Sequence, residues 1–138
     1  MNGALKEWID KAEGDFVVAL REHRARKLPN HDAVCFHAQQ CVEKYLKAVL
    51  VKERLPVRKI HDLANLLQEC LLNHPLWEAM RPDLERLSQN AVKVRYPGES
   101  ATKEQAKKAV KMARRCRAEI RLALNLPSEQ RCGTREKK

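Results

Sequence analysis

Apolar residues recur every three or four positions along four long stretches of this 138-residue chain, which is the spacing of an amphipathic helix. The stretches cover roughly 5–25, 30–53, 76–94 and 103–124, and a shorter one begins at 61–62. Alternation typical of a half-buried strand is absent from the sequence. Because the links are short, neighbouring helices should run antiparallel. The sequence therefore predicts an all-α fold, an antiparallel up-and-down four-helix bundle with a short fifth helix over residues 1–126, followed by a disordered basic tail at 127–138.

Side chains that begin or break helices mark several boundaries. Asn30 or Asp32 can cap the second helix, because their side-chain oxygens accept hydrogen bonds from free backbone N–H groups. Thr102 and Gln105 have the spacing of a capping box at the start of the last helix. Pro82 is expected to break or kink the beginning of the fourth helix.

Basic residues outnumber acidic ones by 28 to 18, which gives a net charge of +10. This excess favours a polyanionic partner such as RNA, DNA, a nucleotide or an acidic protein, although a basic solvated surface would give the same count. The last helix carries eight Lys or Arg against two Glu, and Lys107, Lys111, Arg114 and Arg115 fall on one side of it. That side is either an electrostatic footprint for RNA or a solubilising outer face.

Several function classes find no support in the sequence. No apolar run approaches the roughly 18–20 residues needed to span a bilayer, and the N-terminus is amphipathic, so we expect a cytoplasmic protein. The five cysteines are odd in number and lack C-x-x-C spacing, so we expect free thiols, with Cys132 exposed, and no metal site. No phosphate-binding loop, dinucleotide fingerprint or nucleophile elbow is present, and we expect no cofactor.

The second helix contains FHAQQCVEKYLKAVL at 36–50, which combines an apolar stripe with a polar row. His37, Gln40, Lys44 and Lys47 are three and four residues apart and so share one side of the helix. An imidazole, an amide and ammonium groups in a row can bind an anionic ligand, with Lys44 on a phosphate and His37 and Gln40 on a base or sugar. The alternative is a solvated face or part of a dimer interface.

Two further segments carry polar side chains at helix ends. Asp62 can cap the third helix, and His61 either packs in that turn or contacts a phosphate or base at the mouth of a cleft. Arg95 and Tyr96 follow the fourth helix, where an arginine suits bidentate phosphate binding and a tyrosine ring can stack on a base. The alternative is that Tyr96 packs under the loop and Arg95 meets helix carbonyls.

The FHAQQ-x-x-EKYLKA helix, HDLANLL at 61–67 and RYP at 95–97 together resemble the HEPN family, named for nucleotide binding in higher eukaryotes and prokaryotes. The resemblance covers about residues 4–124. It implies a helical bundle that forms a homodimer, and a gene neighbour that encodes a minimal nucleotidyltransferase. It also implies one of two roles, a metal-independent ribonuclease, often a toxin, or a non-catalytic domain that binds nucleotides or partners.

The ribonuclease branch of that family carries an Arg followed four to six residues later by a His. Here Arg95 is followed at those positions by Glu99, Ser100 and Ala101, so the pair is not intact. We therefore expect a nucleotide- or RNA-binding domain that acts with a nucleotidyltransferase-type partner. The alternatives are a ribonuclease toxin of a toxin–antitoxin pair, with Arg95 and His61 as the catalytic groups, and a protein-interaction module without nucleotide binding.

Overall fold

A computed structural model describes residues 2–128, and these contain five α-helices and a 3₁₀ helix but no strand. The α-helices are α1 (Gly3–His23), α2 (His31–Lys52), α3 (Leu63–Cys70), α4 (Arg81–Lys93) and α5 (Lys103–Ala123), and the 3₁₀ helix spans Pro75–Met80. The long helices form the predicted bundle, and α3 is the predicted short fifth helix. Of the predicted tail at 127–138, only residues 127 and 128 are described. Cys132, predicted to be exposed, lies outside the described residues.

Local chemistry sets the helix boundaries as the sequence predicted. Asn30 accepts a hydrogen bond from the backbone N–H of Ala33 at 2.9 Å and so caps α2. Thr102 and Gln105 form the capping box of α5, with reciprocal distances of 3.0 and 2.9 Å. Pro82 lies in the first turn of α4, where it needs no hydrogen-bond donor, and the stretch predicted as one helix is therefore 3₁₀ before it and α-helical after it.

Helix α2 lies at the centre of the bundle and packs against α1, α3, α4 and α5. Its side chains are buried on nearly every side, and these include the polar residues Gln39, Glu43 and Lys47. The prediction that Lys47 belongs to an exposed polar row is wrong. Neighbouring helices also cover the polar side of α2, and Lys47 is buried there. None of the helices in residues 2–128 is both long and apolar enough to cross a membrane.

A buried ionic cluster joins α1, α2 and α5. The Arg117 guanidinium donates two hydrogen bonds to the Glu13 carboxylate, at 2.6 and 2.8 Å, and the Tyr45 hydroxyl donates a third. Arg121 donates to the Tyr45 oxygen at 3.0 Å. Two of the eight basic residues of α5 therefore point into the molecule rather than to its surface.

Candidate functional site

One cleft of about 590 Å³ brings together three segments that are distant in the sequence. Its walls come from α2, from the two residues that precede α3, and from α4 together with Arg95, which lies two residues beyond the end of α4. We call it the His61 cleft. The lining residues are Phe36, Gln39, Gln40, His61, Asp62, Ser88, Gln89, Ala91, Val92 and Arg95.

His61 is held from behind and presents its ring to solvent. Its Nδ1 lies 3.0 Å from a carboxylate oxygen of Glu43, and its backbone carbonyl accepts a hydrogen bond of 3.1 Å from the Gln39 amide. The side chain is nevertheless 74% exposed. Because a carboxylate only accepts, Nδ1 donates in this pair, and in that tautomer Nε2 is an acceptor.

Glu43 is the buried anchor of this arrangement, with only 4% of its surface exposed. A buried carboxylate needs partners to offset its lost hydration. Lys47 supplies a charge at 3.1 Å, and the Gln39 amide lies 3.3 Å from the other oxygen. Lys47 is itself positioned 5.6 Å from the centroid of the Trp8 ring. The network fixes the carboxylate and hence the orientation of the His61 ring.

Arg95 and Phe36 supply a cation and an aromatic surface to the same cleft. The Arg95 guanidinium carbon lies 6.0 Å from the centroid of the Phe36 ring, and the side chain makes no ion pair within residues 2–128. An exposed guanidinium without a carboxylate partner is available for an external anion. Tyr96 is 63% exposed, but it is not one of the described residues that line the cleft.

The predicted polar row on α2 divides between two places. Gln40 lines the His61 cleft and donates to the oxygen of the Gln39 amide at 2.8 Å. His37 and Lys44 instead contact Asp15 of α1, at 2.8 and 2.6 Å respectively. Both are half-buried by this pairing, and neither is among the described residues that line the cleft.

Asp62 lines the cleft and also caps α3. One of its carboxylate oxygens accepts a hydrogen bond of 2.9 Å from the backbone N–H of Ala64, which confirms the predicted cap. The structure thus brings together four of the seven site residues predicted from sequence: Gln40, His61, Asp62 and Arg95.

Sequence reasoning missed the rest of the wall. Glu43 and Gln39 lie outside the predicted polar row of α2, yet Glu43 contacts the His61 ring and Gln39 donates to the His61 backbone carbonyl. Ser88 and Val92 of α4 and Arg95 in the turn that follows it are four and three residues apart, the spacing of one helix face. That spacing was present in the sequence, but it points to a site only once α4 is known to face α2.

The family comparison agrees with this architecture. The sequence profile of the HEPN domain matches residues 5–122, most of the chain. The chain belongs to the HEPN family. Membership implies a function directed at nucleotides or RNA, by binding or by ribonuclease-like cleavage.

A solved structure shares the fold of this HEPN domain. It is the crystal structure of TT1696 from Thermus thermophilus, which is 19% identical and has a TM-score of 0.75, over 88% of this chain and 98% of that chain. At this identity the likeness shows the fold alone. No curated protein matches the chain in sequence.

Proposed function

We propose that this HEPN domain binds a nucleotide or a short single-stranded RNA segment in the His61 cleft. The observation that carries the proposal is that His61 and Arg95, from separate segments, line one cleft with the aromatic Phe36, and that Arg95 makes no ion pair within residues 2–128. A cation, an imidazole and an aromatic ring in one concave site suit a ligand that combines phosphate with a base.

Each of these side chains has a role in the proposed complex. Arg95 pairs with the phosphate through its planar guanidinium, which matches phosphate oxygens in a bidentate way. Phe36 offers its ring to the base, and the amides of Gln40 and Gln89 hydrogen-bond to the base edge. With Nδ1 donating to Glu43, the Nε2 of His61 accepts a hydrogen bond from a ribose hydroxyl.

The proposed homodimer and the nucleotidyltransferase-type partner draw support from the surface around the cleft. Phe36, Val92 and Tyr96 are large apolar side chains that stay exposed at or beside it. Exposed apolar side chains clustered beside polar groups are typical of a protein–protein contact. The partner surface would then close over the cleft and contribute to the nucleotide site.

Binding of fluorescent mononucleotides and short RNA oligomers to the purified full chain tests the proposal. We expect saturable binding by the wild type at moderate salt. Arg95→Ala should weaken it at least tenfold, since a charge-assisted phosphate contact contributes about 1.5–3 kcal/mol. Phe36→Ala should weaken the binding of ligands that contain a base and leave the binding of inorganic phosphate unchanged.

Arg21→Ala is the matched control, because Arg21 is an exposed arginine on α1 and does not line the cleft. This variant should bind like the wild type. If the Arg95→Ala and Arg21→Ala variants had equal affinity for every ligand, the ligands would not bind in the His61 cleft. Absence of saturable binding to any nucleotide or RNA would favour the protein-interaction module.

A metal-independent ribonuclease is the second candidate, and one observation favours it. Arg95 lacks the family's downstream histidine, but His61 reaches the same cleft from a different segment. The His61 Nε2 takes the proton from a ribose 2′-hydroxyl, whose oxygen bonds to phosphorus to form a 2′,3′-cyclic phosphate. The bond to the 5′-oxygen breaks, that oxygen takes a proton from water, and Arg95 stabilises the charge on the phosphate. RNA cleavage in EDTA, lost in both His61→Ala and Arg95→Ala, would establish this activity.

A further inference from the structure

Over residues 103–115, the solvent-facing side of helix α5 carries six exposed basic residues and one exposed acidic residue, Glu104. The exposed basic residues on it are Lys103, Lys107, Lys108, Lys111, Arg114 and Arg115. At 1.5 Å per residue they cover about 18 Å of helix length, and their spacing places them all within one side of the helix. Of the described residues that line the His61 cleft, none belongs to α5, so this face is a separate surface.

Most of this charge is not neutralised by the protein itself. Within residues 2–128, Lys107, Lys108 and Lys111 make no ion pair. Arg115 approaches Asp83 at 3.4 Å, but the Arg115 side chain is 52% exposed and that of Asp83 34%, and an ion pair so open to solvent contributes little. By contrast, Arg117 on the same helix is buried and paired with Glu13.

The positive surface extends onto the helices at both sides of α5. A groove of about 350 Å³ between α1 and α5 is lined by Arg24 and Arg114 over the Phe16 ring. A second groove of about 350 Å³, between α4 and α5, adds Arg86 and also contains one carboxylate, Asp83, which lies 4.0 Å from Arg86 and 3.4 Å from Arg115. Burial, followed by the neighbouring positive charges, lowers the pKa of His23 at the end of α1.

The composition of the α5 face distinguishes between classes of polyanion. Its large apolar side chains, Val110 and Met112, point into the bundle, and the first large exposed apolar residue of the helix is Leu122. A membrane-binding helix needs an apolar face that enters the lipid, and a protein interface needs an apolar centre. A row of Lys and Arg side chains that lacks both an apolar face and an apolar centre suits the phosphate backbone of a nucleic acid.

We propose that the α5 face binds the phosphate backbone of RNA without regard to base sequence, independently of the His61 cleft. Backbone contacts carry no sequence information, and the described face has no aromatic ring on its crest for bases to stack on. An RNA strand held there would be bound mainly through the release of its counterions.

The test compares two doubly substituted full chains. Lys107→Ala/Lys111→Ala removes the centre of the face, and Lys11→Ala/Lys52→Ala removes the same charge from exposed positions on α1 and α2. RNA affinity is measured from about 50 to about 200 mM salt. We expect the first variant to reduce the slope of log affinity against log salt by about 1.4, about 0.7 for each lost phosphate contact, and the second to leave it unchanged.

Mononucleotide binding separates this proposal from that of the cleft. The α5 variant should bind mononucleotides as the wild type does, whereas Arg95→Ala should bind them at least tenfold more weakly. Equal slopes for the two double variants would overturn the proposal. The proposal would also be overturned if polyglutamate or anionic vesicles bound the wild-type chain with the same affinity as RNA.

Discussion

At the scale of single residues, burial decides which reactive side chains are available. Cys35, Cys41, Cys70 and Cys116 are all buried, as the free thiols predicted from the sequence. Burial raises the pKa of Cys35 to about 11 and that of Cys70 and Cys116 to about 12, and it raises the pKa of Cys41 well above its ordinary value. Since the thiolate is the nucleophile, these four groups should be inert in the folded protein.

A Cys132→Ser variant tests this directly. At about pH 8, where an ordinary thiol is partly ionised, we expect its four remaining thiols to react with a colorimetric disulfide reagent only after unfolding in denaturant. Rapid reaction of any thiol in the native variant, with an unchanged helical circular dichroism spectrum, would contradict the burial described for these residues.

At the scale of elements, the first turn of α3 couples helix capping to the His61 cleft. Asp62 stabilises the helix through the N–H of Ala64, and it also lines the cleft beside His61. A single substitution there could change stability and ligand binding together, so the two roles have to be separated by the choice of replacement.

Asp62→Asn and Asp62→Ala separate them. Asparagine caps helices about as well as aspartate, so Asp62→Asn should change the free energy of unfolding by only a few tenths of a kcal/mol, whereas Asp62→Ala should cost about 1 kcal/mol. Urea denaturation measures both. If the asparagine variant is stable but binds nucleotide differently, the Asp62 charge acts on the ligand; a cost equal to that of alanine would contradict the cap.

At the scale of the whole molecule, the Glu13 cluster ties three helices together. Burial alone would raise the pKa of Glu13, but hydrogen bonds from Arg117 and Tyr45 and the charges of Arg117 and Arg121 outweigh it, so the pKa lies below its ordinary value of 4.5. A carboxyl whose pKa is lowered by folding stabilises the folded state above the unfolded pKa, and this contribution is lost as the pH falls through the folded pKa.

Glu13→Gln should therefore cost about 3–5 kcal/mol near neutral pH, since it leaves the buried Arg117 without its carboxylate. The difference from the wild type should shrink as the pH falls below about 4.5. Unfolding free energies across this pH range provide the measurement. Glu7→Gln, on an exposed position of the same helix, is the control and should show neither effect; a pH-independent cost for Glu13→Gln would contradict the ionic role.

The helices and their boundaries could be predicted because their causes are local. Apolar residues at helical spacing, the Asn30 cap, the Thr102–Gln105 capping box and Pro82 act within a few residues of where they stand. The family motifs also lie within single segments, so the bundle and the HEPN family followed from the sequence as well.

The site depended on relations between helices, which periodicity does not contain. The sequence predicts Lys44 and Gln40 in one row. In the structure α1 packs against α2 and Lys44 pairs with Asp15, whereas Gln40 lines the His61 cleft. Likewise Arg117 and Lys111 are both basic residues of α5, yet one is buried against Glu13 and the other meets solvent.

The sequence by itself determined the helices, their ends and the fold class, because hydrophobic periodicity and capping are short-range. Only the tertiary structure decided that His61 and Arg95 share a cleft and that Glu43 lies behind His61. Those contacts join segments far apart in the chain. Because α2 is covered by four other helices, several of its polar side chains are buried, and they need hydrogen-bond partners, which include groups on neighbouring segments.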